Sequence, residues 1–207
     1  MTEIRMIALG DSYTIGEGVA EDQRWPAQLA DSLASRGVSV TGVEYIAKTG
    51  WTTTDLLTAL RADPKTGPPY DLVSLLIGVN NQFANMDINL YRDEFTELLE
   101  MAVALAGGRP ERVLVLSVPD YGVTPRGHLF GPDRIRDEID QYNVVNRSIA
   151  QSSGALYADI TPLSRLAADD PMLVARDGLH FTGKMYALWV AHLVSDLHID
   201  EHIRSHR

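Results

Sequence analysis

The chain has no cysteine. Disulfides, thiolate nucleophiles and cysteine metal sites are therefore excluded, and any nucleophile has to be an oxygen or an amine. Long hydrophobic runs are also missing: no stretch approaches the ~18 apolar residues that span a bilayer. The opening MTEIRMIALGDS has no charged-then-apolar leader with a small-residue cleavage site, so a cytoplasmic location without membrane insertion is expected. Positive charge is scarce, with 18 basic against 28 acidic residues and a formal charge of −10. Such a surface has no sequence-independent grip on nucleic acid or on anionic lipid. Repeats, low-complexity segments and linkers are absent as well. With 207 residues, 45% of them apolar, the expectation is a single domain over 1–207 around one sizeable core. Nothing in the sequence sets an oligomeric state.

What is present alternates. Short apolar runs at Ile4–Leu9, Val40–Ile46, Leu72–Ile77, Val113–Leu116 and Ala155–Ala158 are separated by segments of helical period. Leu29 and Leu33 share a face in a segment entered through Pro26 and closed by Gly37. Tyr91, Phe95, Leu98, Leu99, Ala102 and Leu105 recur at helical spacing, as do Ile135, Ile139, Tyr142, Val145 and Ile149. Continuous apolar strands such as LVSLLI suit a parallel sheet covered on both faces. The predicted architecture is α/β, a three-layer α/β/α sandwich on a five-stranded parallel sheet, with surface loops at Pro64–Pro69 and Val118–Asp133.

In such folds the ligand crevice lies beyond the carboxyl ends of the strands. The residues there are Gly10-Asp11-Ser12, Lys48-Thr49-Gly50-Trp51, Gly78-Val79-Asn80-Asn81 and, before the last helix, Asp177 and His180. A serine hydroxyl becomes a nucleophile only when a base takes its proton and a third group holds that base in the right tautomer. Ser12, His180 and Asp177 have the chemistry for these roles. Acyl transfer also needs donors for the oxyanion, and the N–H groups of Ser12 and Gly50 with the amide of Asn80 are candidates. Asp11 is read as tying the nucleophile loop by accepting backbone hydrogen bonds. Trp51, Gln82, Phe83, Tyr121 and Phe181 lie on loops that can reach an acyl pocket.

These four blocks resemble those of SGNH hydrolases, the GDSL esterase and lipase superfamily. Gly10-Asp11-Ser12 matches the first block, Gly50 the second, Gly78-Val79-Asn80 the third and Asp177-Gly178-Leu179-His180 the last, in the family's order. The resemblance implies a flavodoxin-like sheet of order 2-1-3-4-5, a serine nucleophile, and hydrolysis of a small-molecule ester without metal or organic cofactor. Carboxylic esters, thioesters, lysophospholipids and acetylated sugars all fall within it. The compact length and the lack of an apolar lid favour short acyl or acetyl esters. Two departures stand near the expected substrate position: Asn81 where the family usually has Asp, and Tyr13 where it usually has Leu.

Competing readings attach to the same residues. Gly178 to Lys184 spells G-x-x-x-x-G-K, yet Met185 follows where a phosphate loop needs Ser or Thr, and no strand follows it. Thr182 is read instead as an N-cap, Lys184 as a surface residue, and Met185, Leu188, Trp189 and Leu193 as a buried stripe with His192 beside it. The tail places His198, His202 and His206 four residues apart, a spacing that can chelate a metal on a helix, but a solvated, fraying end is the expectation. His128 is read as a surface residue. The rival classes are a non-catalytic module binding an acylated sugar and a flavodoxin-like cofactor binder using Ser12–Gly18 as a phosphate loop.

Overall fold

The structure, a computed structural model, describes residues 2–206. Five parallel strands, β1 (Thr2–Gly10), β2 (Val38–Ala47), β3 (Leu72–Leu76), β4 (Val113–Leu116) and β5 (Leu156–Ala158), form one sheet in the order β2-β1-β3-β4-β5. This is the expected order, and the order reverses between β1 and β3, which opens the crevice at their carboxyl ends.

Side chains alternate along each strand, so the sheet feeds two apolar layers. Ile4 and Met6, Leu72 and Leu76, and Leu114 and Leu116 face one of them. Ile7 and Leu9, Val73 and Leu75, and Val113 and Val115 face the other. The first layer is closed by α2 (Trp25–Ala34), α8 (Gly183–Ser195) and α9 (Ile199–Ser205), through Trp25, Leu29, Leu33, Met185, Trp189, Leu193, Ile199 and Ile203. The second is closed by α3 (Thr53–Ala62) and α5 (Ile88–Leu105) through Leu56, Leu60, Tyr91, Phe95 and Leu98. Helix α6 (Pro132–Ser153) serves both, giving Ile135 and Ile139 to the first and Tyr142 and Val145 to the second. Leu105, Ile149 and Leu188, read as stripe members, are only partly buried. Among the described residues no helix is long and apolar enough to cross a membrane.

Two expectations are corrected. The segment Val118–Asp133 is not a surface loop in its first half: Val118, Asp120, Tyr121, Val123 and Thr124 are buried, and it folds into two short 3-10 turns, Tyr121–Val123 and Gly127–Phe130. The turn residues that signalled exposure are satisfied internally, by Asp120 accepting from Gly122 N–H and Thr124 Oγ1 accepting from Gly127 N–H. The C-terminal tail does not fray. Ile199 and Ile203 pull α9 onto the sheet layer, His202 Nε2 meets Glu111 O at 2.7 Å, and Arg112 donates to His206 O at 3.1 Å. Among the described residues no cluster of His, Asp and Glu is arranged to hold a metal ion.

Candidate active site

The carboxyl end of β1 turns at once into α1 (Ser12–Ile15). Gly10 makes that turn possible: a Cβ there would stand 2.2 Å from Thr14 Oγ1 and 2.4 Å from Leu76 O. Asp11 caps the helix, its Oδ1 accepting Tyr13 N–H at 3.0 Å, as expected of a residue that ties the loop. Burial pushes the Asp11 carboxyl up to about 7, against the lowering effect of that backbone hydrogen bond. Ser12 follows as the first helical residue, so its own N–H has no intrahelical acceptor.

His180 arrives from the other end of the chain on a small antiparallel turn. Val174 and Phe181 form a bridge, and Ala175 N–H donates to His180 O at 2.8 Å. Asp177 sits at the tip, where its Oδ1 accepts from the N–H groups of Leu179 and His180 at 2.9 and 3.0 Å. Its Oδ2 lies 2.6 Å from His180 Nδ1. Burial pushes the Asp177 carboxyl up, but the imidazole and the two N–H groups outweigh it and hold the group below its ordinary value. An ionised Asp177 accepts a hydrogen bond from Nδ1–H, which fixes the tautomer that leaves Nε2 as a base. Arg126 N–H donates to Gly178 O at 2.9 Å and anchors the turn to the buried segment after β4.

Ser12, Asn80 and His180 line one cavity of about 110 Å³, with Tyr13, Val79, Phe83, Tyr121 and Leu179. Three loops from distant parts of the sequence thus meet at the rim where β1 and β3 part. Ser12 Oγ and the His180 ring have no hydrogen bond to each other. Asn80 stands on α4 (Val79–Phe83), entered from Gly78, whose φ of +132° and contact with the Tyr91 ring leave no room for a side chain. One amide hydrogen of Asn80 goes to Trp51 O at 2.8 Å, so the second remains for a ligand. Gly50 lies in the exposed turn closed by Trp51 N–H to Lys48 O at 3.2 Å; it does not line the cavity and is tied to it through Trp51 and Asn80.

The pocket candidates divide. Tyr13, Phe83 and Tyr121 are cavity walls, and Tyr13 meets His180 edge-on at 5.7 Å. Burial raises the Tyr13 phenol well above its ordinary value, and pushes Tyr121 up to about 12. Phe181 is fully buried, stacked on Tyr13 at 5.5 Å and set against Trp189 at 6.0 Å, so it supports the wall from behind. Trp51 packs its ring toward the α3–α5 layer. Gln82 is buried and donates to Glu138 at 2.6 Å.

Asn81, expected near the substrate, points elsewhere. It is fully buried, accepting Thr53 N–H at 3.0 Å and donating to Thr53 Oγ1 at 2.6 Å. Thr53 Oγ1 in turn donates to Glu94. Because that hydroxyl has spent its single proton on Glu94, it must be an acceptor toward residue 81. An amide can supply the donor, whereas an ionised carboxylate cannot. The Asn in place of the usual Asp is thus a fit to Glu94.

Sequence reasoning passed over Val79 and Leu179 as cavity walls, since neither apolar residue differs in pattern from its core neighbours. The phosphate-loop spelling dissolves: Gly178 follows Asp177 in the turn with a φ of +72°, Gly183 opens α8, and Lys184 is paired with Asp170 at 2.7 Å. Thr182 is the N-cap residue, but its hydroxyl donates to Met172 O rather than capping the helix. His128 is exposed and bonds to Thr124 O, and His192 is paired with Asp196 at 2.6 Å.

The fold is shared with solved structures. An acetylxylan esterase from Geobacillus stearothermophilus is similar at 19% identity and a TM-score of 0.70, covering 97% of this chain and 94% of that one. A lipase/acylhydrolase from Enterococcus faecalis is 22% identical with a TM-score of 0.66 and 95% of each chain covered. A member of the lipolytic G-D-S-L family from Veillonella parvula is 16% identical with a TM-score of 0.67, covering 92% of this chain and 96% of that one. No curated protein matches the chain. The sequence model of the GDSL-like Lipase/Acylhydrolase family matches residues 8–188, from the last residues of β1 to the middle of α8, and the chain belongs to that family.

Proposed function

We propose that the protein is a serine esterase that cleaves short acyl esters, acetyl esters foremost, through an acyl-enzyme. The observation that carries this reading is the small cavity shared by Ser12, Asn80 and His180, whose ring is held from behind by Asp177. In the proposed cycle His180 Nε2 takes the Ser12 Oγ proton as the oxygen attacks the ester carbonyl. Negative charge then builds on the carbonyl oxygen and is met by Ser12 N–H and the free amide hydrogen of Asn80, with Gly50 N–H as a third donor offered from the turn that Trp51 O ties to Asn80. Collapse expels the alcohol, whose oxygen receives the proton from His180. Water, deprotonated by the same ring, hydrolyses the acyl-enzyme and regenerates Ser12.

The preference for short acyl groups rests on the cavity's size, about 110 Å³, and on its closure by the Tyr13, Phe83 and Tyr121 rings. A long chain has to leave over the exposed edge of Phe83 and cross to Phe130, 5.5 Å from it. Family membership supports ester hydrolysis in general, and a lysophospholipase or thioesterase is the alternative within the same chemistry.

The test is turnover of p-nitrophenyl esters of two to sixteen carbons by wild type and variants. Ser12→Ala should lose on the order of 10⁴–10⁶ in kcat, and Asp177→Asn on the order of 10³–10⁴ with KM little changed. A serine-directed phosphonate should label Ser12 covalently. Wild-type turnover by Ser12→Ala would overturn the assignment, and wild type that is neither active nor labelled would make the chain a binding module.

A further inference from the structure

The leaving alcohol has to pass His180, because that ring delivers the proton to the departing oxygen. Nδ1 is held by Asp177, so delivery comes from Nε2 of the ring carried on the 174–181 turn. Beyond that turn lies a second groove. Its volume is about 450 Å³, and it adjoins the catalytic cavity along residues 178–180: Gly178 lines the groove while Leu179 and His180 line the cavity. The groove's walls are Val123, Pro125, Val174 and the alanines beside them, with Arg176 and His128 as its polar members and no carboxylate.

That lining is out of character for a chain with a formal charge of −10. Most arginines elsewhere are tied to acids, as Arg61 is to Glu97, Arg134 to Glu138 and Arg165 to Asp120 and Asp140, with Arg92 bonded to Asn89 instead. Arg176 and Arg126 have no ion pair among the described residues and are both exposed. Arg126 arches over the turn itself, its Cγ 3.8 Å from where a Gly178 side chain would begin. Among the acids near in sequence, Asp177 is engaged by His180 and Asp170 by Lys184. Arg176 on the groove wall and Arg126 beside the Gly178 turn are thus unpaired cations of an acidic molecule, next to a floor that suits the apolar stem of a ligand.

Resting on the esterase reading above, we infer that the groove is a leaving-group subsite, and that the alcohol of the preferred substrate carries a carboxylate or a phosphate recognised by Arg126 and Arg176. Both anions match the planar donor fork of arginine.

The experiment compares three acetyl esters of para-substituted phenols: the neutral methyl 4-acetoxybenzoate, the carboxylate 4-acetoxybenzoate and 4-acetoxyphenyl phosphate. For each enzyme the anionic-to-neutral ratio of kcat/KM is formed, and variants are compared with wild type so that leaving-group reactivity cancels. Arg176→Gln and Arg126→Gln should each lower the ratio about fivefold, the scale of an exposed charge pair, and the double variant further. Raising the salt to 0.5 M should lower the wild-type ratio toward that of the double variant. The anion on which the double variant loses more is the one the groove selects, and equal losses define a general anion site. A ratio unchanged in the double variant overturns the inference while the esterase reading stands. If wild type cleaves none of the three esters, the esterase reading falls and the inference with it.

Discussion

Asp11 shows how a single residue trades stability for placement. It is almost fully buried, it ties the turn that presents Ser12, and its carboxyl is pushed up to about 7 because the charged form loses solvation that the backbone N–H groups of Tyr13 and Asp11 do not replace. The native carboxyl therefore holds its proton in a range where the unfolded one has lost it. The group's contribution is fully present below about pH 4, declines as pH rises from there, and reaches its unfavourable plateau above about pH 7. A shift from 3.8 to about 7 corresponds to roughly 4 kcal/mol at that plateau. Asp11→Asn keeps an oxygen for Tyr13 N–H and removes the titration. It should be more stable than wild type at pH 8 by a few kcal/mol and nearly equal to it at pH 4, as read from urea midpoints across that range. A stability difference that does not vary with pH would refute the account. Asp177 works in the opposite direction: its lowered carboxyl contributes stability above the ordinary aspartate range, lost as pH falls through it.

At the scale of elements, the decisive feature is the abrupt change from β1 to α1. The strand must end against β3 and the helix must start within one residue, so the backbone of Gly10 packs where Thr14 Oγ1 and Leu76 O leave no space for a methyl group. Gly10→Ala has to push α1 outward, and Ser12 moves with it. Overpacking of this kind costs about 1–3 kcal/mol. The variant should also lose activity out of proportion to its Tm, because a displacement of about 1 Å at a reacting atom costs on the order of 10²-fold. A Gly10→Ala enzyme with wild-type kcat would show that the turn has slack. The opposing element, α4, is held the same way: Asn81 clamps its first turn to Thr53 at the start of α3, so Asn80 is carried on a braced helix.

At the scale of the molecule, the candidate site and the closing helix occupy opposite ends of the sheet. The proposed machinery lies at the carboxyl rim. Helix α9 docks at the other end, where His202 reaches Glu111 ahead of β4 and Arg204 donates to Arg36 O ahead of β2. Removing residues after Asp196 strips Ile199 and Ile203 from the core and should cost about 3 kcal/mol or more. The truncated enzyme should melt earlier by several degrees while kcat at 20 °C stays within about twofold. A collapse of kcat without a fall in Tm would place α9 in the catalytic apparatus instead.

The sequence by itself determined the layered α/β architecture, because continuous apolar strands and three-and-four-spaced stripes such as Tyr91–Phe95–Leu98 depend only on local period and burial. It also determined the identities at the rim, Ser12, Asn80, Asp177 and His180, because strand ends in a parallel sheet come together. The Asp177–His180 contact was legible for the same local reason: the two residues lie within one turn. What tertiary structure decided is direction. Tyr13 and Phe181 read alike as aromatics on site loops, yet one faces the cavity and the other the core behind it. Asn81 reads as a neighbour of the substrate but answers to Glu94, a residue of α5 that reaches it only through Thr53 on α3. The buried course of residues 118–124 and the docking of α9 are decisions of the same kind, since turn residues and alternating histidines signal exposure until distant partners satisfy them. Side-chain direction is set by contacts between residues far apart in the chain, and local sequence does not record them.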